Sequence, residues 1–285
     1  MSRREVLQPV FASDLITTVR KPLGWLIKDF WPNRSQGIVA GEPKTYKSFL
    51  TLEMAVAIAC GKKFLGVHEV KQGSVLIIQE ENDDEIMKDR LVKIMNAHSL
   101  VPENMVKETG INTFTIKFAT DIPLMFINRK GFSLDEPHHM EDLIELIINE
   151  NIKLVVLDPF YMMFDGNLND MQAVKASLKK LSYINTSLET SVMLVHHNHK
   201  PNYNFKPTHI RGGQKMLGSM GMHAWTASAL YLSRDEKSKN VINIEREFRA
   251  FSEMNDIRVC FSDGDSGSFQ YASSELSKQS NLHFM

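Results

Sequence analysis

The sequence predicts an α/β fold: a mostly parallel central sheet flanked by helices, continued by an antiparallel C-terminal β extension. Three observations predict it. Short apolar runs at Ile38–Ala40, Ser74–Ile78, Ile152–Leu157 and Ser191–Val195 alternate with helical periodicity, as βαβ units require. Each run ends in residues that can do chemistry, which is where open parallel sheets place their sites. After residue 228 the pattern changes to closely spaced β runs.

Residues 1–21 read as a lead-in, with a short helix at Asp14–Val19; residues 22–272 read as one domain, and 273–285 as a polar tail. Gly24–Ile27 and Phe30–Pro32 form an apolar hook expected to pack at the sheet edge. The run Ile38–Ala40 then leads into Gly41-Glu42-Pro43-Lys44-Thr45-Tyr46-Lys47-Ser48 and a helix from Phe49 to Cys60, stopped by Gly61. This turn matches G-x-x-x-x-G-K-[ST] except that Tyr46 stands in the second glycine position. Gly41 to Phe49 would cradle phosphates on backbone N–H groups at a helix start. Lys47, expected to face solvent in the empty site, would reach the β- and γ-phosphates, and Ser48 would hold Mg²⁺.

Ser74–Ile78 ends in Gln79-Glu80-Glu81-Asn82. A glutamate there can orient and deprotonate a water, and Glu80 is assigned that role; the alternative is that both acids merely open the next helix. Residues 98–137 read as an excursion with a short strand at Asn112–Phe118, punctuated by Pro102, Pro123 and Pro137. A helix at Met140–Asn149 feeds Ile152–Leu157, which delivers Asp158 as a second Mg²⁺ ligand. The helix Met171–Leu188 leads to Ser191–Val195 and His196-His197-Asn198-His199. Zinc is one reading of the histidines, but no second ligand cluster accompanies them; a γ-phosphate sensor at His197 suits the strand end better.

The stretch Asn198–Lys215 interleaves Lys200, Lys206, Arg211 and Lys215 with Tyr203 and Phe205. Cations for phosphates and rings for stacking suit single-stranded DNA; a lid over the nucleotide is the alternative. The β-rich remainder comprises Ala229–Leu232, Val241–Ile244, Ile257–Phe261 and Ser268–Tyr271, with a hairpin turn at Asp263–Gly267.

Composition limits the function classes. With 43% apolar residues among 285, the chain can bury a sizeable core. A net charge of −1 excludes a uniformly basic nucleic-acid coat but not a local basic strip. No 18-residue apolar run or apolar leader is present, and the two cysteines stand 200 residues apart, so a reduced, cytoplasmic protein away from membranes is expected.

Taken in order, the phosphate loop with Lys47, the strand with Glu80, the strand with Asp158, the strand with His196-His197 and the antiparallel tail resemble the RecA-like P-loop ATPase core. Over roughly residues 22–272 the sequence is most similar to the RepA-type replicative helicase ATPases of the AAA_25 group. Leu217-Gly218-Ser219 with Ala224-Trp225 also fits, although Leu217 stands where these proteins often have arginine. The resemblance implies an ATP- and Mg²⁺-dependent hydrolase in a homo-oligomeric ring, expected as a hexamer, acting on DNA beside a replication or recombination partner. It implies that Glu80 activates water and that Arg246 or Arg249, with Arg211 in reserve, reaches the neighbouring subunit's nucleotide. The alternative is an ATP-gated loader or regulatory module that hydrolyses weakly or not at all, which Tyr46 and Leu217 favour.

Overall fold

The computed structural model describes residues 9–17, 23–100, 106–107, 114–115, 122–166, 170–197, 219–235, 237–262, 264 and 267–272. The elements follow the sequence closely. Helix α1 (Ala12–Thr17) precedes a short hairpin, β1 (Trp25–Ile27) and β2 (Trp31–Pro32). Strand β3 (Gln36–Gly41) enters the loop that starts α2 (Lys47–Cys60). Then come β4 (Ser74–Gln79), α3 (Asp84–Ala97), the small pair β5 (Val106–Lys107) and β6 (Phe114–Thr115), and β7 (Leu124–Asn128). Helix α4 (Pro137–Asn149), β8 (Ile152–Asp158), a 3₁₀ turn at Phe160–Met163, α5 (Met171–Ser187) and β9 (Ser191–His197) complete the crossovers. The chain closes with α6 (Ser219–Trp225), β10 (Ser228–Arg234), β11 (Val241–Phe248), β12 (Ile257–Ser262) and β13 (Ser268–Tyr271).

Among the described residues, nine strands form one sheet in the order β13-β12-β11-β10-β3-β9-β8-β4-β7. The six from β10 to β7 run parallel, and β11 to β13 extend the β10 side antiparallel, as the sequence predicts. Strand β7 is an addition: the region from 98 to 137 supplies an edge strand, not only an excursion. Its apolar run, Leu124–Ile127, is four residues long and directly follows Pro123, so periodicity carries little signal there.

Alternation along each strand divides the core into two layers. Val39, Val75, Ile77, Leu154, Val156, Met193 and Val195 face one way, against α2, α3 and the buried hook residues Leu26, Ile27, Phe30 and Trp31. Ile38, Ala40, Leu76, Ile78, Val155, Leu157, Val192 and Leu194 face the other, against α4 and α5. Helix α2 is buried on nearly every side, which is why its sequence is apolar all round. Gly61, at φ 65°, ends it by donating its N–H to the Ala57 and Ile58 carbonyls. Gly37 lets β10 close on β3, since a Cβ there would lie 1.8 Å from the Ser228 carbonyl oxygen.

Candidate functional site

The parallel strands end on one edge, where β3, β4, β8 and β9 deliver their last side chains. A cavity of about 490 Å³ opens there, lined by the loop from Pro43 to Phe49 and by Glu81, Asn82, Arg90, Asp158, Val195, His197 and Arg234. Its size suits a nucleotide-sized ligand.

The phosphate loop is held by bonds within its own chain. The Thr45 hydroxyl donates to the Glu42 carbonyl at 2.8 Å, and Arg234 Nε donates to the Lys44 carbonyl at 2.9 Å. Gly41 admits no side chain: a Cβ would stand 2.5 Å from the Leu232 carbonyl oxygen and 2.8 Å from Thr45 Oγ1. Lys47 begins α2 and is buried, contrary to the solvent-facing position expected for it. Its Nζ donates to the Gly41 carbonyl at 3.0 Å and the Glu42 carbonyl at 2.8 Å. Burial pushes its pKa down to about 8, while Asp158, Glu81 and Glu42 partly restore it. The ammonium thus rests on carbonyls of its own loop, which a phosphate oxygen of full negative charge could replace.

Tyr46 occupies the glycine position and keeps a glycine-like backbone, with φ 59° and ψ 26°. A non-glycine residue there costs about 1–2 kcal/mol. The ring packs at a tilt on buried Phe261, centroids 4.5 Å apart, with Phe49 and Phe269 edge-on at 6.4 and 6.5 Å.

Ser48 donates its hydroxyl to the Asp158 carboxylate. Burial raises the Asp158 pKa to about 6; Ser48, Arg90 and Lys47 act against that rise, and Glu81 adds to it. A buried carboxylate joined to a hydroxyl at a strand end is a hard, oxygen-rich pair, the chemistry that Mg²⁺ takes. Among the described residues no cluster of three or more His, Cys, Asp or Glu could hold a metal by itself; His199, one of the histidines of the zinc reading, lies outside them.

Glu80 and Glu81 separate. The Glu80 carboxylate accepts the backbone N–H groups of Lys130, Gly131 and Phe132 at 3.2, 3.1 and 2.9 Å, and does not line the cavity. Glu81 does, close enough to act on the protonation of Lys47, Asp158 and His197. The geometry therefore moves the candidate water-activating carboxylate from Glu80 to Glu81. His196 is buried edge-on to Phe160, while His197 turns into the cavity beside Tyr161. Burial and the neighbouring Lys47 hold the His197 pKa below its ordinary value.

Arg246 and Arg249 stand elsewhere. Because β11 runs antiparallel, its end pairs with Ser228, and Ser228 pairs with Gly37 at the start of β3; this is the edge away from the phosphate loop. Arg246 donates to the carbonyls of Asp29 and Asn255 at 2.9 and 2.7 Å and lies over Phe30. Arg249 donates to the His223 and Ala224 carbonyls at the end of α6. Both are occupied by their own chain, and neither lines the cavity.

Three cavity residues escaped sequence reasoning: Asn82, Arg90 and Arg234. Arg90 lies over the Phe49 ring, 5.1 Å from its centroid, and reaches Asn82. Arg234 carried a signal, since it closes β10 as the histidines close β9. Lys200, Tyr203, Phe205, Lys206, Arg211 and Lys215, with Leu217 and Gly218, fall outside the described residues. No described helix is long and apolar enough to cross a membrane.

Comparison with solved structures shows the same fold in the ATPase domain of another protein, with a TM-score of 0.60 and 12% identity, covering 85% of this chain and 86% of that one. A DnaB-like replicative helicase, solved in a study of its interactions with primase, matches with a TM-score of 0.64 and 12% identity over 93% of this chain and 68% of that one. No curated protein matches the sequence. The AAA_25 family profile, described as an AAA domain, matches residues 1–203. With more than two thirds of its length matched, and a RecA-like core like that of the helicase ATPase domains, the chain belongs to the AAA_25 family of AAA domains.

Proposed function

We propose that the protein is a Mg²⁺-dependent ATPase that acts on DNA from a ring or filament, with its nucleotide between subunits. The observation that carries this reading is the convergence of Lys47, Ser48, Glu81, Asp158 and His197 on one cavity at the carboxyl edge of the parallel sheet. The backbone N–H groups at the start of α2 receive the phosphates, and Lys47 leaves the Gly41 and Glu42 carbonyls to pair with them. Ser48 and Asp158 would hold Mg²⁺, which when bound neutralises phosphate charge. Glu81 orients and deprotonates the attacking water. His197 touches the far phosphate and passes its presence to the residues that follow β9. Arg90, flat against Phe49, offers a cationic plane on which a base can stack.

The loop 198–215 starts directly after His197, and its cations and rings are the proposed single-strand contact. Arg211, in that loop, is the cation proposed to reach a neighbour's nucleotide. The helicase relative's association with primase supports a replication setting with a partner protein.

Steady-state ATP hydrolysis in Mg²⁺, with and without single-stranded DNA, tests the reading on wild type and Lys47→Ala. Hydrolysis that depends on Lys47 and rises with DNA is expected; turnover unchanged by Lys47→Ala would overturn it. One observation favours a second reading, an ATP-gated module: Lys47 is already satisfied by loop carbonyls, so ATP must compete for it. That reading predicts measurable ATP binding, DNA or partner binding that follows nucleotide state, and negligible turnover.

A further inference from the structure

The phosphate loop meets the C-terminal antiparallel strands at Tyr46, the residue before α2. Tyr46 ends the loop, and its backbone is the entry to α2. Its side chain makes no hydrogen bond to cap the helix, so no polar cap holds its left-handed backbone. Its ring instead enters an aromatic cluster made by Phe49 of α2, Phe261 of β12 and Phe269 of β13. Phe261 and Phe269 are fully buried, and neither lines the cavity. Strand β13 is itself fastened to α2, because the Phe269 N–H donates to the buried Glu53 carboxylate at 2.9 Å. Two members of the cluster, Tyr46 and Phe49, are part of the cavity wall, where Arg90 lies over Phe49.

A glycine in this position would reach the same backbone conformation freely and leave it as freely. A tyrosine reaches it only against steric cost, and holds it because the ring is anchored on rigid strands. The loop is therefore set for phosphate before phosphate arrives, which reduces what binding must spend on ordering it. The left-handed backbone also directs the Lys47 N–H, the first of α2, without any glycine to its N-terminal side nearer than Gly41.

We propose that Tyr46 is a positioning residue for nucleotide binding, acting through Phe261 and Phe269, so that the antiparallel C-terminal strands are a working part of the phosphate loop. The proposal rests on the ATP reading of the cavity. It assigns to β12 and β13 a role in affinity that their distance from the phosphates in sequence conceals.

The test is titration with a fluorescent methylanthraniloyl-ATP in Mg²⁺, together with ATPase kinetics and thermal melts, on Tyr46→Gly, Tyr46→Phe and Phe261→Leu. Phe261→Leu keeps an apolar side chain of similar bulk, so the fold is retained while the ring face is lost. Tyr46→Gly and Phe261→Leu are each expected to weaken ATP binding about five- to tenfold, the scale of lost aromatic contacts. Tyr46→Phe, which keeps the ring, should fall with wild type. For Phe261→Leu the loss should appear in KM, with kcat within about twofold of wild type. The double variant Tyr46→Gly/Phe261→Leu should bind no more weakly than Tyr46→Gly alone, because both changes remove one contact. Tyr46→Gly binding ATP as tightly as wild type would overturn the proposal, as would Phe261→Leu that melts earlier yet binds unchanged. No ATP binding by wild type, indistinguishable from Lys47→Ala, would instead overturn the nucleotide reading itself, and this proposal with it.

Discussion

Glu80 and Glu81 are consecutive, yet their carboxylates serve different parts of the molecule. Glu80 closes the turn after β7 by accepting three backbone N–H groups, whereas Glu81 faces Lys47 and Asp158 across the cavity. Glu81→Gln should retain ATP binding and lower hydrolysis about 10²- to 10⁴-fold, the usual range for a lost general base. Glu80→Gln should instead cost about 1–2 kcal/mol of stability through weakened charge-assisted hydrogen bonds. Single-turnover hydrolysis and urea melts on the two variants check the assignment, and the reverse pattern would return the role to Glu80.

Arg246 gives a second contrast. Two carbonyls and the face of Phe30 hold it within its own chain. Arg246→Ala should lower unfolding free energy by about 2–3 kcal/mol, because two carbonyls lose a charged donor and the ring of Phe30 loses its cover. Denaturant titration measures this directly. A variant of unchanged stability, inactive alone but rescued by mixing with Lys47→Ala subunits, would show a trans role instead.

Gly41 tests the fit of the loop against β10. Gly41→Ala forces a methyl group into the Leu232 carbonyl and the Thr45 hydroxyl, and the carbonyl belongs to a strand that cannot yield. Overpacking of this kind costs about 1–3 kcal/mol. A lower melting temperature and weaker ATP binding should appear together. Loss of neither would mean that the loop adjusts freely.

Acid should loosen the outer strand. His68 is buried, with its Nε2 2.6 Å from the Tyr271 hydroxyl on β13 and its Nδ1 3.9 Å from Asp29. Burial is the main cause that pushes its pKa down to about 4. Below the ordinary histidine value near 6.5 the unfolded chain takes a proton that the folded chain refuses until about pH 4. Stability is therefore full above pH 6.5 and falls as pH drops toward 4, by on the order of 3 kcal/mol from this group. Denaturation at a series of pH values should show that slope in wild type and a shallower one in His68→Gln.

Most strands of the sheet were legible because they are short, apolar and bounded by polar residues, and α4 and α5 because they keep a helical period. The choice between the two glutamates was also legible, in strand parity. Residues 75, 77 and 79 of β4 share the face of Val39, Val156 and Val195, and continuing that alternation reaches Glu81, just as it reaches Gly41, Asp158 and His197. Glu80 and His196 fall on the other parity. Strand β7 was not legible, for one short apolar run after a proline has no period to read. Arg90 was not either, because the crossing of α3 brings it to the cavity and leaves no local mark in sequence; Arg234 left only its place at the end of β10.

Strand β3 has β9 on one side and β10 on the other. Both neighbours are made late: the chain must extend from Gly41 to Arg234 before the second one exists. At ordinary rates of synthesis that interval lasts roughly ten to forty seconds. Until then the strand that carries the loop has an unpaired edge, open to any other extended chain nearby. A nascent or truncated product that stops at residue 203, where the family match ends, would include the entire loop and still lack β10. Such fragments should aggregate during expression, and the shortest soluble form should be one that extends through β10 and the antiparallel strands that shield it.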